Sequence, residues 1–153
     1  MGVTVGMGVG QAPAAGAGPP GSFLPPVLPL RVTAAFDPPA HDWESGHRGA
    51  DLAASEGTEV GAAAAGTVTF AGTVVDRGVV VISHGAVRTT YEPVVPSVAV
   101  GAAVTARQVI GVIGTGAHCS ARCLHWGAKL GDDYIDPLAL LRDYRPVLKT
   151  PRS

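Results

Sequence analysis

From about residue 30 onward, no stretch of this 153-residue sequence sustains helical periodicity, and glycine interrupts the chain every few residues. A helix requires an apolar residue every three or four positions; short apolar runs bounded by Gly, Pro and Asp read instead as strands joined by tight turns. Residues 31–36 read as the first strand, ended by Asp37-Pro38-Pro39. Residues 66–75 follow, and Asp76-Arg77-Gly78 makes a hairpin connection in which glycine supplies the positive φ. The returning strand is 79–84, Gly85-Ala86 turns into 87–91, and Glu92-Pro93 stops ladder pairing. Residues 98–114 alternate valines with glycine turns, 124–130 form another strand, and Asp132-Asp133 turns it back through Tyr134-Ile135. Asp136 has the side chain to cap a short helix, Pro137 suits its first position, and Pro146 bars much continuation. The pattern predicts an all-β domain with one short C-terminal helix.

Residues 1–30 carry no charge and are dense in Gly and Pro, which predicts a flexible Gly/Pro/Ala-rich lead-in before a domain at 31–145. A secretory signal has a basic start and an unbroken apolar run, whereas here the first basic residue is Arg31 and Pro13, Pro19 and Pro20 break the run. Small residues around 12–17 nevertheless have the look of a cleavage site, so the stretch reads as a remnant of a signal or a linker. Residues 146–153 form a basic tail; Arg142, Arg145, Lys149 and Arg152 against Asp143 read as a solvated segment. With 15% charged residues and a formal net charge of -1, nothing points to nucleic acid. No run of about 18 apolar residues exists to span a membrane. A monomer is expected.

His47, Asp51 and His125 are the candidate metal ligands, two imidazoles and a carboxylate being the set zinc takes when it keeps a fourth position for water. In an extended strand His47 and Asp51 would lie about 13 Å apart, too far to share an ion, so the chain has to bend between them. Gly49 is the residue that tolerates a bend at least steric cost. Strand alternation puts Cys123 and His125 on one face, with Leu124 and Trp126 packing on the other. Cys119 and Cys123 have the spacing for a disulfide across a turn, which suits an oxidising compartment. The alternative keeps Cys123 reduced as a fourth zinc ligand, which would close the site and make the metal structural.

Residues 46–141 resemble the lysostaphin-type, or LytM-like, zinc endopeptidases that cut peptide bonds in bacterial peptidoglycan. The H-x-x-x-D element of those enzymes aligns with His47 to Asp51, and their glycine turn region with residues 101–111. Their H-x-H aligns with Cys123-Leu124-His125, T-x-Y-x-H with Thr89 to Pro93, and Asp136-Pro137 matches the closing pair. The resemblance implies a lysostaphin-like antiparallel sheet, a barrel-sandwich hybrid. It also implies zinc on His47, Asp51 and His125, peptidoglycan peptides or cell-wall polymer as partner, and a secreted or cell-envelope location. Two acid–base histidines of the family are replaced here, by Pro93 and Cys123. Proline offers no side-chain donor or base, and general acid–base catalysis typically contributes about 100- to 10,000-fold in rate.

No residue is therefore assigned a proton-transfer role outright. His118 is the candidate, just before Cys119 and within reach of a metal-bound water; the bland alternative is a surface-loop histidine. Glu92 adjoins the lost position but is expected to face away from Pro93. His84 reads as a strand-end residue bonded to backbone, and His41 as part of a polar loop. Trp43 and Trp126 read as packing residues, although Trp43 could flank a cleft. Two functions compete: a zinc peptidase, and a metal-binding, peptidoglycan-binding or regulatory relative that no longer cuts. The glycine turns also resemble biotinyl- and lipoyl-carrier domains, but neither Lys129 nor Lys149 sits at a hairpin tip.

Overall fold

In the computed structural model, residues 22–39, 46–119 and 122–141 are described. Eleven strands are formed: β1 Val32–Ala34, β2 Gly49–Ala53, β3 Glu59–Gly61, β4 Gly66–Val74, β5 Arg77–Ser83, β6 Val87–Glu92, β7 Val94–Pro96, β8 Ala103–Val104, β9 Val109–Ile113, β10 Cys123–Leu130 and β11 Asp133–Ile135. Eight build one sheet in the order β1-β2-β10-β6-β5-β4-β8, with β11 pairing β10. A second sheet has the order β3-β9-β7, and every pairing in both is antiparallel. The all-β expectation holds, with the terminal helix reduced to a 3-10 turn at Pro137–Leu140. Its cap is as expected: the Asp136 side chain accepts from the Leu138 N–H at 3.0 Å, with proline at the start of the turn.

Alternation along the central strands builds the core. Ala50 and Leu52 of β2, Leu124 and Trp126 of β10, Tyr91 of β6 and Val80 and Ile82 of β5 all have 0% exposure. Val60, Val94, Ile110 and Ile113 of the small sheet close the other side of the same cluster. The opposite faces of β2, β10 and β6 are left to carry Asp51, His125 and Glu92.

Two sequence expectations need correction. Phe23 and Val27, inside the stretch expected to be a flexible lead-in, are core residues at 0% and 3% exposure. Phe23 N–H donates to the Leu140 carbonyl, Leu24 N–H to Ala63 and Gly61 N–H to Pro26, so this segment straps the domain from outside both sheets. Composition argued for disorder, but it could not foresee that two apolar side chains would find a seat. The β4–β5 hairpin turns at Val75, which holds the positive φ of 58° while 92% exposed; Gly78 is in the returning strand, where a side chain would strike the Val94 carbonyl. His41, Trp43, Lys149, Pro146 and the basic tail lie outside the described residues. No helix among the described residues is long and apolar enough to cross a membrane.

Candidate metal centre and cleft

Backbone register puts the chemistry in rows across three strands. Asp51 of β2 pairs with His125 of β10, and His125 pairs with Glu92 of β6. Two residues along, about 7 Å away at strand spacing, the next row is Gly49, Gly127 and Thr90. A third row has Lys129 opposite Arg88. The β10 and β6 members of these rows, with Arg48, Val81 and Tyr134, line a cleft of about 310 Å³ floored by Gly127 and Thr90.

The first row is completed from outside the ladder. His47 forms a bridge with Asp37, its N–H donating to the Asp37 carbonyl at 2.7 Å and its carbonyl accepting at 2.8 Å. That bridge turns its ring towards Asp51: Nε2 lies 3.2 Å from Oδ1. His125 Nδ1 approaches the same oxygen at 2.8 Å. The three residues named from sequence thus converge, from points far apart in the chain. The bend needed between His47 and Asp51 is not made by a left-handed glycine, however. Gly49 is strand backbone, and a Cβ there would lie 2.6 Å from the Trp126 carbonyl and 2.8 Å from His125 Nε2. It is small so that the His125 ring can lie against β2.

His118, on the 3-10 turn Ala117–Cys119, also comes to the cluster, its Nε2 2.8 Å from Asp51 Oδ2. Cys119 and Cys123 are joined as a disulfide with Cα atoms 4.9 Å apart, so Cys123 carries no thiolate and the reading of it as a ligand falls away. Glu92 faces away from Pro93, as expected. It pairs with His125, lines the cleft and is held by Arg77 Nη1 at 3.2 Å, while Pro93 has left the ladder and is buried. Tyr91 and Pro93 are both on the buried side, which leaves Glu92 facing the site. His84 is as expected, its Nδ1 donating to the Ala65 carbonyl at 2.8 Å. Trp126 is fully buried packing.

The electrostatics fit a cation. Asp51 is 6% exposed. Burial pushes its carboxyl up, but hydrogen bonds from His125 and His118 and the charges of His118 and His47 outweigh this and hold it below its ordinary 3.8. His47 Nδ1 lies 2.8 Å from the Ala35 carbonyl, which can only accept, so Nδ1 carries a hydrogen, and in the neutral ring Nε2 has a lone pair. That lone pair faces a carboxylate oxygen, an arrangement that is favourable only with a proton or a metal ion between them. Ligand atoms each about 2 Å from one zinc ion lie within about 4 Å of each other. The contacts of Asp51 Oδ1 with His47 and His125, at 3.2 and 2.8 Å, meet that requirement.

Comparison with known proteins bears on the fold and the family. An uncharacterized protein of Mycobacterium tuberculosis, Rv2891, is 46% identical over 132 residues, covering 82% of this chain and 53% of the relative. The chain therefore spans about half the length of the curated relative it matches. Among solved structures, a chain of the SpoIIQ–SpoIIIAH pore-forming complex superposes with a TM-score of 0.68 at 24% identity, covering 78% of this chain and 90% of that one. The antimicrobial peptidase lysostaphin from Staphylococcus simulans gives 0.66 at 23% identity, covering 80% and 57%. At those identities the likeness speaks for the fold, which is the lysostaphin-like one expected from sequence. The family described as Peptidase family M23 matches residues 45–137, the segment that holds His47, Asp51, Glu92, His118 and His125. The chain belongs to peptidase family M23.

Proposed function

We propose that this domain is a zinc-dependent hydrolase of peptidoglycan peptide cross-links in the cell envelope, with His47, Asp51 and His125 as the metal ligands. The observation that carries the reading is the convergence of these three donors, of which His125 also lines the cleft. Zinc, when bound, would polarise the scissile carbonyl and lower the pKa of its water towards neutrality. The chain's own residues supply the rest. The Ala35 carbonyl fixes the His47 ring with Nε2 inward, the kind of outer support that metal-binding histidines use. Glu92, on the same sheet face as His125 and anchored by Arg77, is the carboxylate that the cleft offers as proton acceptor. It stands in for the base that neither Pro93 nor Cys123 provides.

The far row bears on substrate. Lys129 and Arg88 are like charges directly opposite each other, a pairing that destabilises a sheet unless an anion relieves it. Lys129 Nζ also lies 4.7 Å from the Tyr134 ring centroid. A cationic end beside a small-residue floor suits an extended peptide carrying a free carboxylate, as cell-wall stem peptides do.

A second reading has the fold and metal retained for binding, without cleavage; the observation behind it is the loss of both family histidines at Pro93 and Cys123. One experiment separates the two. Purified protein is loaded with zinc, given cross-linked peptidoglycan and scored for new amino termini against a His125→Ala control. Cleavage that the control lacks supports the hydrolase. Retention on peptidoglycan with one bound zinc and no new termini favours the binding module.

A further inference from the structure

His118 and the metal-facing strand belong to one small covalent ring. Cys123 opens β10, and its disulfide partner Cys119 closes the 3-10 turn that carries His118. Residue 123 is where the H-x-H pattern places a histidine; here its side chain is committed to the disulfide and is 7% exposed. The imidazole missing from the strand returns from five residues upstream. His118 Nε2 is 2.8 Å from Asp51 Oδ2, the oxygen that neither His47 nor His125 contacts. Its ring centroid is 5.1 Å from that of His125 and 5.7 Å from that of His47. One donor atom from each of His47, Asp51, His118 and His125 falls within 4.8 Å of all the others.

The geometry points to His118 as a fourth protein donor of the metal centre, delivered there by the Cys119–Cys123 disulfide. This rests on the reading that His47, Asp51 and His125 hold the ion. Imidazole is a ligand zinc accepts readily, and four protein donors close its coordination. His118 is then the donor that gives way when water or a scissile carbonyl binds. Of the four it is the one built to leave: Asp51 and His125 are fixed in strands and His47 in a backbone bridge, whereas His118 sits on a three-residue turn with its side chain 54% exposed. The disulfide keeps it near while it is off the ion. A dithiol that reduces the disulfide, giving two cysteine thiols and itself becoming a disulfide, removes this tether and shifts the centre towards three donors.

The test reads zinc affinity of the full chain by competition with a chromophoric chelator, with the cobalt(II) absorption band as a second readout of coordination. His118→Ala is expected to weaken zinc binding by about tenfold or more, the loss brought even by an indirect partner of a ligand, and to change the cobalt band. Cys119→Ser with Cys123→Ser is expected to weaken zinc in the same direction, with little further loss when His118→Ala is added. A smaller loss in His118→Ala overturns the proposal, as does a disulfide effect that persists in full once His118 is already alanine. Should wild-type protein take up no zinc, or His125→Ala take it up equally well, the metal-centre reading itself fails, a result distinct from either of these.

Discussion

His84 and the histidines around Asp51 are the same side chain put to opposite uses. His84, which follows β5, is 1% exposed; its Nδ1 donates to the Ala65 carbonyl and its Nε2 takes the Thr89 hydroxyl at 2.8 Å. Thr89 in turn meets the Tyr91 hydroxyl at 2.7 Å, and Tyr91 accepts from the Ala63 N–H at 3.0 Å. Every polar atom of the neutral His84 ring is matched, and Phe23 packs edge-on against it. At Asp51 neutral rings leave the count short: with His47 Nδ1 on the Ala35 carbonyl, its Nε2 faces a carboxylate oxygen and needs a proton or a metal ion between them. A ring satisfied by protein alone is a core residue. A cluster that needs an added cation is a site.

The largest test of that distinction is the response of stability to zinc. At free zinc about 100 times Kd, an ion bound only by the folded state adds about 2.7 kcal/mol. Thermal unfolding with zinc and with chelator should show this increment in wild type and lose it in Asp51→Ala. His84→Ala should lower Tm under both conditions while keeping the increment, because it takes the His84 hydrogen bond from the Ala65 carbonyl and one of the two partners from Thr89, and opens a cavity. An increment that disappears equally in both variants would erase the contrast.

A smaller effect is expected at Gly49. A Cβ there would meet the Trp126 carbonyl, which is backbone and cannot swing aside, as well as His125 Nε2. Gly49→Ala should cost about 1–3 kcal/mol, the usual range for overpacking, and should weaken zinc as His125 is displaced. Urea unfolding in chelator separates the two losses. Unchanged stability and affinity would mean that β2 and β10 can separate freely, contrary to the close approach described.

How much of this was legible in the sequence depended on whether the determining contact is local. Strand parity at residues 123–126 gave the burial of Leu124 and Trp126 and the exposure of His125 to the site, since alternation needs no tertiary information. Asp136 as a cap was legible for the same reason. That Glu92 opposes Pro93 was legible, but its place beside His125 was not, because that is set by register between β6 and β10. Gly49 was noticed, but for the wrong property: the constraint is another strand's side chain, invisible to a reading of five residues. His118 was named as a proton-transfer candidate, with a loop histidine as the alternative; its direct contact with Asp51 depends on the fold and was not legible. Phe23 shows the reverse error, in which a segment poor in charge and rich in proline still packs once the sheet offers a surface.

The finest test is the dependence of stability on pH, where the two kinds of group act in separate windows. Burial pushes the His84 pKa below its ordinary 6.5, against the opposing pull of the Ala65 hydrogen bond. As pH falls past 6.5 the unfolded chain takes up the proton before the folded one does. His84 therefore contributes its full stability above that pH, loses it progressively below, and changes nothing further once the folded ring protonates too. Asp51 acts at lower pH: its carboxyl is held below 3.8, so its contribution is complete above that value and drains as pH falls through the folded pKa. Tm recorded in chelator from pH 8 to 5 should fall less steeply in His84→Gln than in wild type, because glutamine does not titrate. The histidines around Asp51 are common to both proteins, so the difference in slope belongs to His84. Equal slopes would mean that this ring protonates as readily in the fold as in the open chain, and its place among the satisfied core residues would be lost.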